Sequence, residues 1–171
     1  MKLFLIPLIC IAALVVSCHK SGSDNPSYYI RASVDGTAMS FSAKTLAGKF
    51  TNAGTTTLSI TGAVSSSKNL GTIQLYILNV PGGKPIVAGT YSETDRTDFS
   101  MWGLYYPDST NHVYQGGQLN NPANPFKITI TSIDNTAVKG SFSGDYYFNT
   151  GTTIPGPEKK TFTNGEFYVK F

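Results

Sequence analysis

Much of the chain from residue 28 onward alternates apolar and polar residues in short runs. This period-two alternation is typical of β-strands that bury one face, and it is clearest over residues 28–34, 126–133 and 166–171. Residues 99–106 also predict a strand, but one that is aromatic on both faces. The run 71–80 has apolar residues on both faces of the predicted strand, with Ile73, Leu75 and Ile77 on one face and Tyr76, Leu78 and Val80 on the other. A strand that is apolar on both faces is expected to be central in its sheet and covered on each side.

Weaker alternation predicts further extended segments at residues 39–42, 55–64, 86–91, 113–114, 138–142 and 161–163. Residues 45–54 fit either a loop or a short strand around Phe50, and residues 146–157 are predicted to form a loop. Asp35-Gly36 and Asn164-Gly165 are the two strongest hairpin signals, because both residues of a two-residue hairpin turn need positive φ.

After residue 18 no segment has the pattern of a long helix. About eight short strands separated by turn residues predict an all-β fold, either an antiparallel two-sheet sandwich or a jelly-roll-like barrel. We therefore expect residues 28–171 to form a single β-sandwich domain, whose strand order the pattern does not give.

The first eighteen residues differ from the rest of the chain. Lys2 precedes an apolar run, residues 3–16, that is interrupted by Pro7 and is shorter than the about 20 residues of a membrane-spanning helix. A basic start followed by a short apolar run is the layout of a secretory signal peptide.

The end of this run, Val15-Val16-Ser17-Cys18, resembles the lipobox of bacterial lipoproteins, although Leu14 stands one place earlier than the usual leucine. The resemblance implies that residues 1–17 are a lipoprotein signal peptide and that cleavage leaves Cys18 as a lipidated N-terminus. The alternative is an ordinary signal peptide with Cys18 as one more apolar residue near the cleavage site. Residues 18–27 are almost wholly polar and are expected to form a flexible tether.

Composition narrows the range of partners. The only cysteines are Cys10 and Cys18, so the expected domain holds no disulfide. Thirteen Lys and Arg residues against ten Asp and Glu give a formal net charge of +3, and the basic residues are not clustered. A nucleic-acid-binding surface needs a basic stripe or patch. We therefore expect no nucleic-acid partner.

No catalytic residues are predicted. Asp108, Ser109 and His112 could be imagined as a hydrolase triad, but residues of these types are also common in turns. The chain lacks the Gly-x-Ser-x-Gly turn that exposes a nucleophilic serine. The turn interpretation is therefore favoured, and the chain is not expected to be an enzyme.

No metal or other cofactor is predicted. Zinc needs several His or Cys ligands, and only His112 lies beyond the tether. Glu93, Asp95 and Asp98 could supply oxygen ligands for calcium, but Arg96 lies between them and their spacing matches no known calcium loop. A solvated turn that partly neutralises its own charge is the favoured interpretation.

Aromatic residues give the one candidate binding site. Trp102, Tyr105, Tyr106 and Tyr114 lie within and after one predicted strand, beside an Asn-rich loop. Rings supply apolar area and their polar tips supply orientation, which suits a sugar- or peptide-binding surface. The alternative, favoured because large aromatic residues are usually buried, is that these rings fill the core or cover its edge.

Several turn and strand motifs together carry a family resemblance. With Asp35-Gly36, Gly89-Thr90-Tyr91, Val138-x-Gly140-x-Phe142 and Thr163-Asn164-Gly165-Glu166-Phe167, the chain resembles small lipoproteins of unknown function from Gram-negative cell envelopes. The resemblance implies export and a lipid anchor in the outer membrane, with His19 after the cysteine compatible with sorting to that membrane. It leaves the side of the membrane open and implies no catalytic residues.

These observations lead to one function hypothesis and two alternatives. The hypothesis is a non-catalytic binding or accessory module of the cell envelope, attached to the membrane by its N-terminal lipid, with a glycan or a peptide as ligand. The first alternative is a structural or assembly subunit whose partner is another envelope protein. A hydrolase is the remote alternative.

Overall fold

The computed structural model describes residues 28–66, 71–108, 112–117, 123–149, 156 and 158–171. Within these residues the chain is all-β, with eleven antiparallel strands and no helix. The strands are β1 (Tyr29–Val34), β2 (Thr37–Ser40), β3 (Leu46–Asn52), β4 (Thr55–Ala63), β5 (Thr72–Asn79), β6 (Gly89–Ser92), β7 (Phe99–Tyr106), β8 (Tyr114–Gly116), β9 (Lys127–Ile133), β10 (Ala137–Phe148) and β11 (Lys159–Lys170). This part of the chain contains no helix that is long and apolar enough to cross a membrane. The predicted signal peptide, Cys18 and the tether lie outside the described residues.

The eleven strands belong to one hydrogen-bonded sheet, so neither the expected count of about eight nor the two-sheet arrangement is confirmed. The main path is β2-β1-β11-β10-β8-β7-β5-β4-β3, and β9 and β6 branch from β10. The branch exists because β10 is twelve residues long. One edge of β10 pairs first with β9 and then, at Tyr147 and Phe148, with β8.

The length of β10 corrects one sequence prediction. Residues 146–157 were expected to form a loop, yet β10 continues through Phe148. Tyr146 is fully buried, and Tyr146 and Tyr147 pair with Lys160 and Lys159 of β11. Burial of the Tyr146 ring therefore extends the strand beyond the residues in which apolar and polar positions alternate.

The sheet curls, and the segment after β2 connects its two ends. Ser42 forms a parallel bridge with Ala63 at the end of β4. The amide of Ala43 donates to the Ala63 carbonyl at 2.9 Å, and the amide of Phe41 donates to the Ile30 carbonyl at 2.8 Å. These bonds hold strands from opposite ends of the sheet order next to each other.

The concave side of the curled sheet holds the core. Along β5 the side chains of Ile73, Leu75 and Ile77, which were predicted to share one face, are buried, with at most 1% of their surface exposed. The other face of β5 is only half-buried rather than covered. Burying a Leu or Ile side chain contributes about 1.5–3 kcal/mol, so the inner face supplies most of the apolar stabilisation.

Two hairpin turns of the same kind begin the sheet. Asp35 and Gly36 have φ of 49° and 83°, which confirms the predicted turn between β1 and β2. Ala53 and Gly54 have φ of 47° and 79° and join β3 to β4. The ambiguous segment 45–54 is therefore mostly strand, because this second turn pairs it along β4.

The predicted hairpin at Asn164-Gly165 is wrong. Both residues lie inside β11, and only Asn164, with φ of 51°, has positive φ. The registers of β11 with β1 and with β10 both shift here by one residue. Asn164 is therefore the extra residue of a β-bulge, which lets one long strand continue where the sequence suggested two short ones.

Candidate functional site

The four aromatic residues of the candidate site lie on two different faces of the sheet. Residues alternate along β7, so Tyr105 points into the core while Trp102 and Tyr106 point outward. Tyr105 and Tyr114 are 4% and 6% exposed, whereas Trp102 and Tyr106 are half-buried. The four rings therefore do not form one surface.

Tyr105 and Tyr114 are core residues. The Tyr105 ring packs edge-on against Phe162, with ring centroids 5.2 Å apart, and burial raises the pKa of its hydroxyl. The Tyr114 hydroxyl donates to Glu158 Oε2 at 3.1 Å, and Lys160 Nζ lies 5.8 Å from the centre of its ring. Because so little of either ring is exposed, neither ring is open to a ligand.

Trp102 instead stacks on Tyr76 at the outer face. The two residues are direct cross-strand partners in β5 and β7. Their ring centroids are 5.0 Å apart and their planes differ by 17°. The Tyr76 hydroxyl donates to Gln74 Oε1 at 3.2 Å, and partial burial, followed by the proximity of Tyr106, raises the pKa of Tyr76.

The strand registers place a polar but uncharged set of neighbours around this pair. Ser59 lies opposite Tyr76 on β4, and Thr61, Gln74 and Leu104 form the next row. We call ten outward-facing residues of β4, β5 and β7 the aromatic platform: Thr57, Ser59, Thr61, Gln74, Tyr76, Leu78, Ser100, Trp102, Leu104 and Tyr106. None of these ten residues is charged.

Beyond the platform, the outer face continues onto the edge strand β3. Leu46 and Phe50 pair with Thr61 and Thr57, so they share the outward face. They are 61% and 57% exposed, which makes them the most exposed large apolar side chains in the described part of the chain.

Tyr76 is the functional candidate that sequence reasoning did not single out. Alternation places it on the same face of β5 as Leu78. Its partnership with Trp102 depends on β5 pairing with β7 rather than β6. Pairing with a strand that is not next in the chain leaves no local sequence signal.

The three acidic residues considered for calcium do not converge. Glu93 is 3% exposed, and the Phe126 amide donates to its Oε1 at 2.5 Å. Asp98 pairs with Lys84 at 2.7 Å, and Asp95 Oδ1 accepts from the Thr97 amide at 3.4 Å. Among the described residues no cluster of His, Cys, Asp and Glu could hold a metal ion.

The solvated-turn prediction is wrong for Glu93. Glu93 lies two residues after the buried Tyr91, so the period of β6 carries it inward. Its amide also donates to the Phe126 carbonyl at 3.1 Å. Glu93 thus fixes the start of β9 to the end of β6, and the signal for this role was the continued alternation.

The imagined triad is open and exposed. His112 Nδ1 lies 3.9 Å from Asp108 Oδ2, and about half of each side chain is exposed. The His112 ring packs edge-on against Phe148 at 5.4 Å. Ser109 lies outside the described residues.

No protein-family model, no curated protein and no solved structure matches this chain.

Proposed function

We propose that this protein is a non-catalytic binding module of the cell envelope that binds a neutral glycan on the aromatic platform. The observation that carries the proposal is the stacked Tyr76–Trp102 pair, half-buried on an outer sheet face. Each stacked ring has one face that its partner does not cover, which could meet the C–H face of a sugar, and nearby polar groups could orient the sugar hydroxyls.

The surroundings of the pair favour a neutral ligand over a charged one. The aromatic platform carries hydroxyl and amide groups but no ionised side chain. A charged ligand placed there would lose water without gaining an ion pair, which costs free energy. A neutral sugar loses less hydration free energy when it moves from water to the platform, and it can use Ser59, Thr61 and Gln74 as hydrogen-bond partners.

Calorimetric titration of the purified full chain with cellohexaose, xylohexaose, maltohexaose and chitohexaose tests this proposal. We expect at least one of them to bind, and Trp102→Ala to weaken that binding about ten-fold or more, since aromatic contacts of this kind contribute on the order of 1 kcal/mol beyond area burial.

The matched control is Tyr168→Ala. Tyr168 is also a half-buried ring in an aromatic pair, with Tyr28 at 5.1 Å, but it lies on β11. We expect this variant to keep wild-type affinity. Absence of binding to all four sugars, or unchanged binding after Trp102→Ala, would remove the site.

A second candidate function is that of a structural or assembly subunit. The exposed Leu46 and Phe50 on edge strand β3 favour it, because unpaired strand edges with apolar side chains readily pair with another chain. Cross-linking in cells separates the two functions. A stoichiometric protein partner that is lost on Phe50→Asp supports assembly, whereas a chain without such a partner supports the binding module.

We propose further that Cys18 anchors the module to the outer membrane of a Gram-negative cell. The lipobox-like residues before Cys18 and the polar segment after it support this placement. Cys18→Ala should then move the protein from the detergent-extracted to the soluble fraction. Unchanged membrane retention, or an unmodified thiol at residue 18 in the native protein, would contradict the anchor.

A further inference from the structure

A groove lies on strands that the aromatic platform does not use. It is a groove of about 450 Å³ across β9, β10 and β11. We call it the polar groove, after six of the polar side chains that line it: Lys127, Thr129, Ser141, Ser143, Thr163 and Asn164. This volume lies within the range of small-molecule sites, about 300–1,000 Å³.

The bulge in β11 shapes this groove. Asn164 is the extra residue in the pairing with both neighbouring strands, so the strand bends where Thr163 and Asn164 face the groove. Gly165 follows in close contact with the Phe142 carbonyl, and a Cβ there would overlap that oxygen. The backbone therefore leaves no room for a side chain at this point.

Three hydroxyls in the groove are available to a ligand. Those of Ser141, Ser143 and Thr163 make no hydrogen bond with any residue that the structure describes. Thr129 differs, because its hydroxyl shares a hydrogen bond of 3.1 Å with that of Thr90. The free hydroxyls can each donate and accept, which suits a ligand that is itself rich in hydroxyls.

The groove carries one positive charge. Lys127, directly opposite Ser143 in the register, is the only charged residue that lines it. Lys127 forms no ion pair in the part of the chain that the structure describes. Its ammonium group is therefore free to meet an anionic ligand.

Two carboxylates on the strands that form the groove are already paired with other cations. Glu166, opposite Ser141, is held by Arg31 with 2.7 Å between Oε2 and Nη2. Asp145 is held by Lys159 at 2.7 Å, and its other oxygen accepts from Asn124 at 2.9 Å. Neither carboxylate is left to compete for Lys127.

We infer that the polar groove binds an acidic sugar, with the carboxylate on Lys127 and the sugar hydroxyls on Ser141, Ser143 and Thr163. A charge-assisted hydrogen bond from an ammonium to a carboxylate is about twice as strong as a neutral one, so Lys127 would dominate affinity. The inference does not depend on the neutral-glycan proposal, because the two sites use different strands.

The test uses the purified full chain carrying Trp102→Ala, so that the aromatic platform does not contribute. Trigalacturonate, maltotriose and acetate are titrated separately at constant ionic strength, with amide chemical shifts recorded by NMR. We expect trigalacturonate alone to give saturable shifts, centred on Ser141, Ser143 and Thr163. Lys127→Gln should weaken this binding about ten-fold.

Lys139→Gln is the matched control, because Lys139 is an exposed lysine on β10 that does not line the groove. It should keep the affinity of the parent chain. The inference is overturned if trigalacturonate gives no saturable shift or if both lysine variants lose affinity equally. Equal binding of maltotriose, or of acetate, would also overturn it, since charge or hydroxyls alone would then suffice. Dispersed amide spectra confirm that each variant is folded.

Discussion

At the scale of single residues, Tyr146 stands out in the core because a polar group on it is buried without a hydrogen bond to any described residue. Its side chain is fully buried and its hydroxyl finds no hydrogen-bond partner among the described residues. The ring packs against Phe162 at 4.4 Å and edge-on against Phe126 at 5.2 Å. Gly103 lies so close that a Cβ there would overlap the hydroxyl. Burial holds the pKa of Tyr146 well above its ordinary value, so the group stays neutral.

Tyr146→Phe should therefore stabilise the protein. A buried hydroxyl without a partner costs about 1–3 kcal/mol, so its removal should raise the free energy of unfolding by about 1 kcal/mol. Equilibrium denaturation in urea measures the change. Tyr91→Phe is the control, because the Tyr91 hydroxyl donates to the Val87 carbonyl at 2.7 Å and accepts from the Val87 amide at 2.9 Å. We expect that variant to lose stability. A loss of stability in both would show that the Tyr146 hydroxyl is paired.

At the scale of elements, β11 determines the layout of half the sheet. It pairs with β1 on one side and with β10 along most of its length on the other. The strand can remain continuous because its one extra residue, Asn164, adopts a left-handed conformation. Asparagine tolerates that conformation better than most residues, whereas β-branched residues do not.

Substitutions at Asn164 should separate backbone strain from side-chain contacts. Asn164→Gly should remain near wild-type stability, since glycine adopts positive φ without a Cβ penalty. Asn164→Val should lower the free energy of unfolding by about 1–2 kcal/mol. Urea denaturation of the two variants checks the difference. Equal stability of the two would mean that the bulge relaxes to a conformation that valine accepts.

Elements with strong local alternation could be predicted from the sequence, and those determined by distant pairing could not. The bounds of β1 and β9 follow from alternation to within one residue. Asn164-Gly165 has the residues of a hairpin turn but forms a bulge, because strands remote in sequence hold both of its flanks. Ala53 gave no turn signal, although it occupies the same conformation as Asp35.

The candidate site follows the same division. Trp102 could be found from the sequence because aromatic residues cluster around it. Its partner Tyr76 could not, because their stacking depends on the pairing of β5 with β7. The hydroxyls of the polar groove likewise come together only through the registers of β9, β10 and β11.

At the scale of the whole molecule, aspartate side chains connect distant parts of the chain by accepting hydrogen bonds from β11. The Thr161 amide on β11 donates to Asp35 Oδ1 at 2.8 Å, which attaches the first turn to the last strand. Asp145, whose side chain is 2% exposed, accepts from Lys159 at 2.7 Å. Burial alone would raise the pKa of Asp145, but its hydrogen bonds from Lys159, Asn124 and Thr161 outweigh burial and lower it.

Two more aspartates show the same direction. The pKa of Asp35 is lowered because the Thr161 amide and Lys160 outweigh its partial desolvation, and that of Asp134 because the hydroxyl and amide of Thr136 and the amide of Ala137 all donate to it. A carboxyl whose pKa is lower in the folded state binds protons less readily there than in the unfolded chain. Its contribution to stability is complete above the unfolded pKa of about 3.9 and is lost as the pH falls through the folded pKa.

The protein should therefore lose stability as the pH falls below about 4. Denaturation midpoints in urea from neutral to acid pH measure this loss. Asp145→Asn keeps a hydrogen-bond acceptor but cannot titrate, so its stability should start lower and fall less steeply. An equally steep loss of stability with falling pH in the variant and the wild type would contradict the lowered pKa of Asp145. Direct NMR titration of that carboxyl provides a second measure if the variant does not fold.

The stacked pair on the aromatic platform also has a spectroscopic consequence. Trp102 is the only tryptophan in the chain. Light emitted from the indole therefore reports on the one surface where the neutral ligand is proposed to bind, with no second indole to dilute the signal. A sugar that covers Trp102 would remove water from its ring and shift the emission to shorter wavelength, whereas a ligand in the polar groove would leave the emission unchanged.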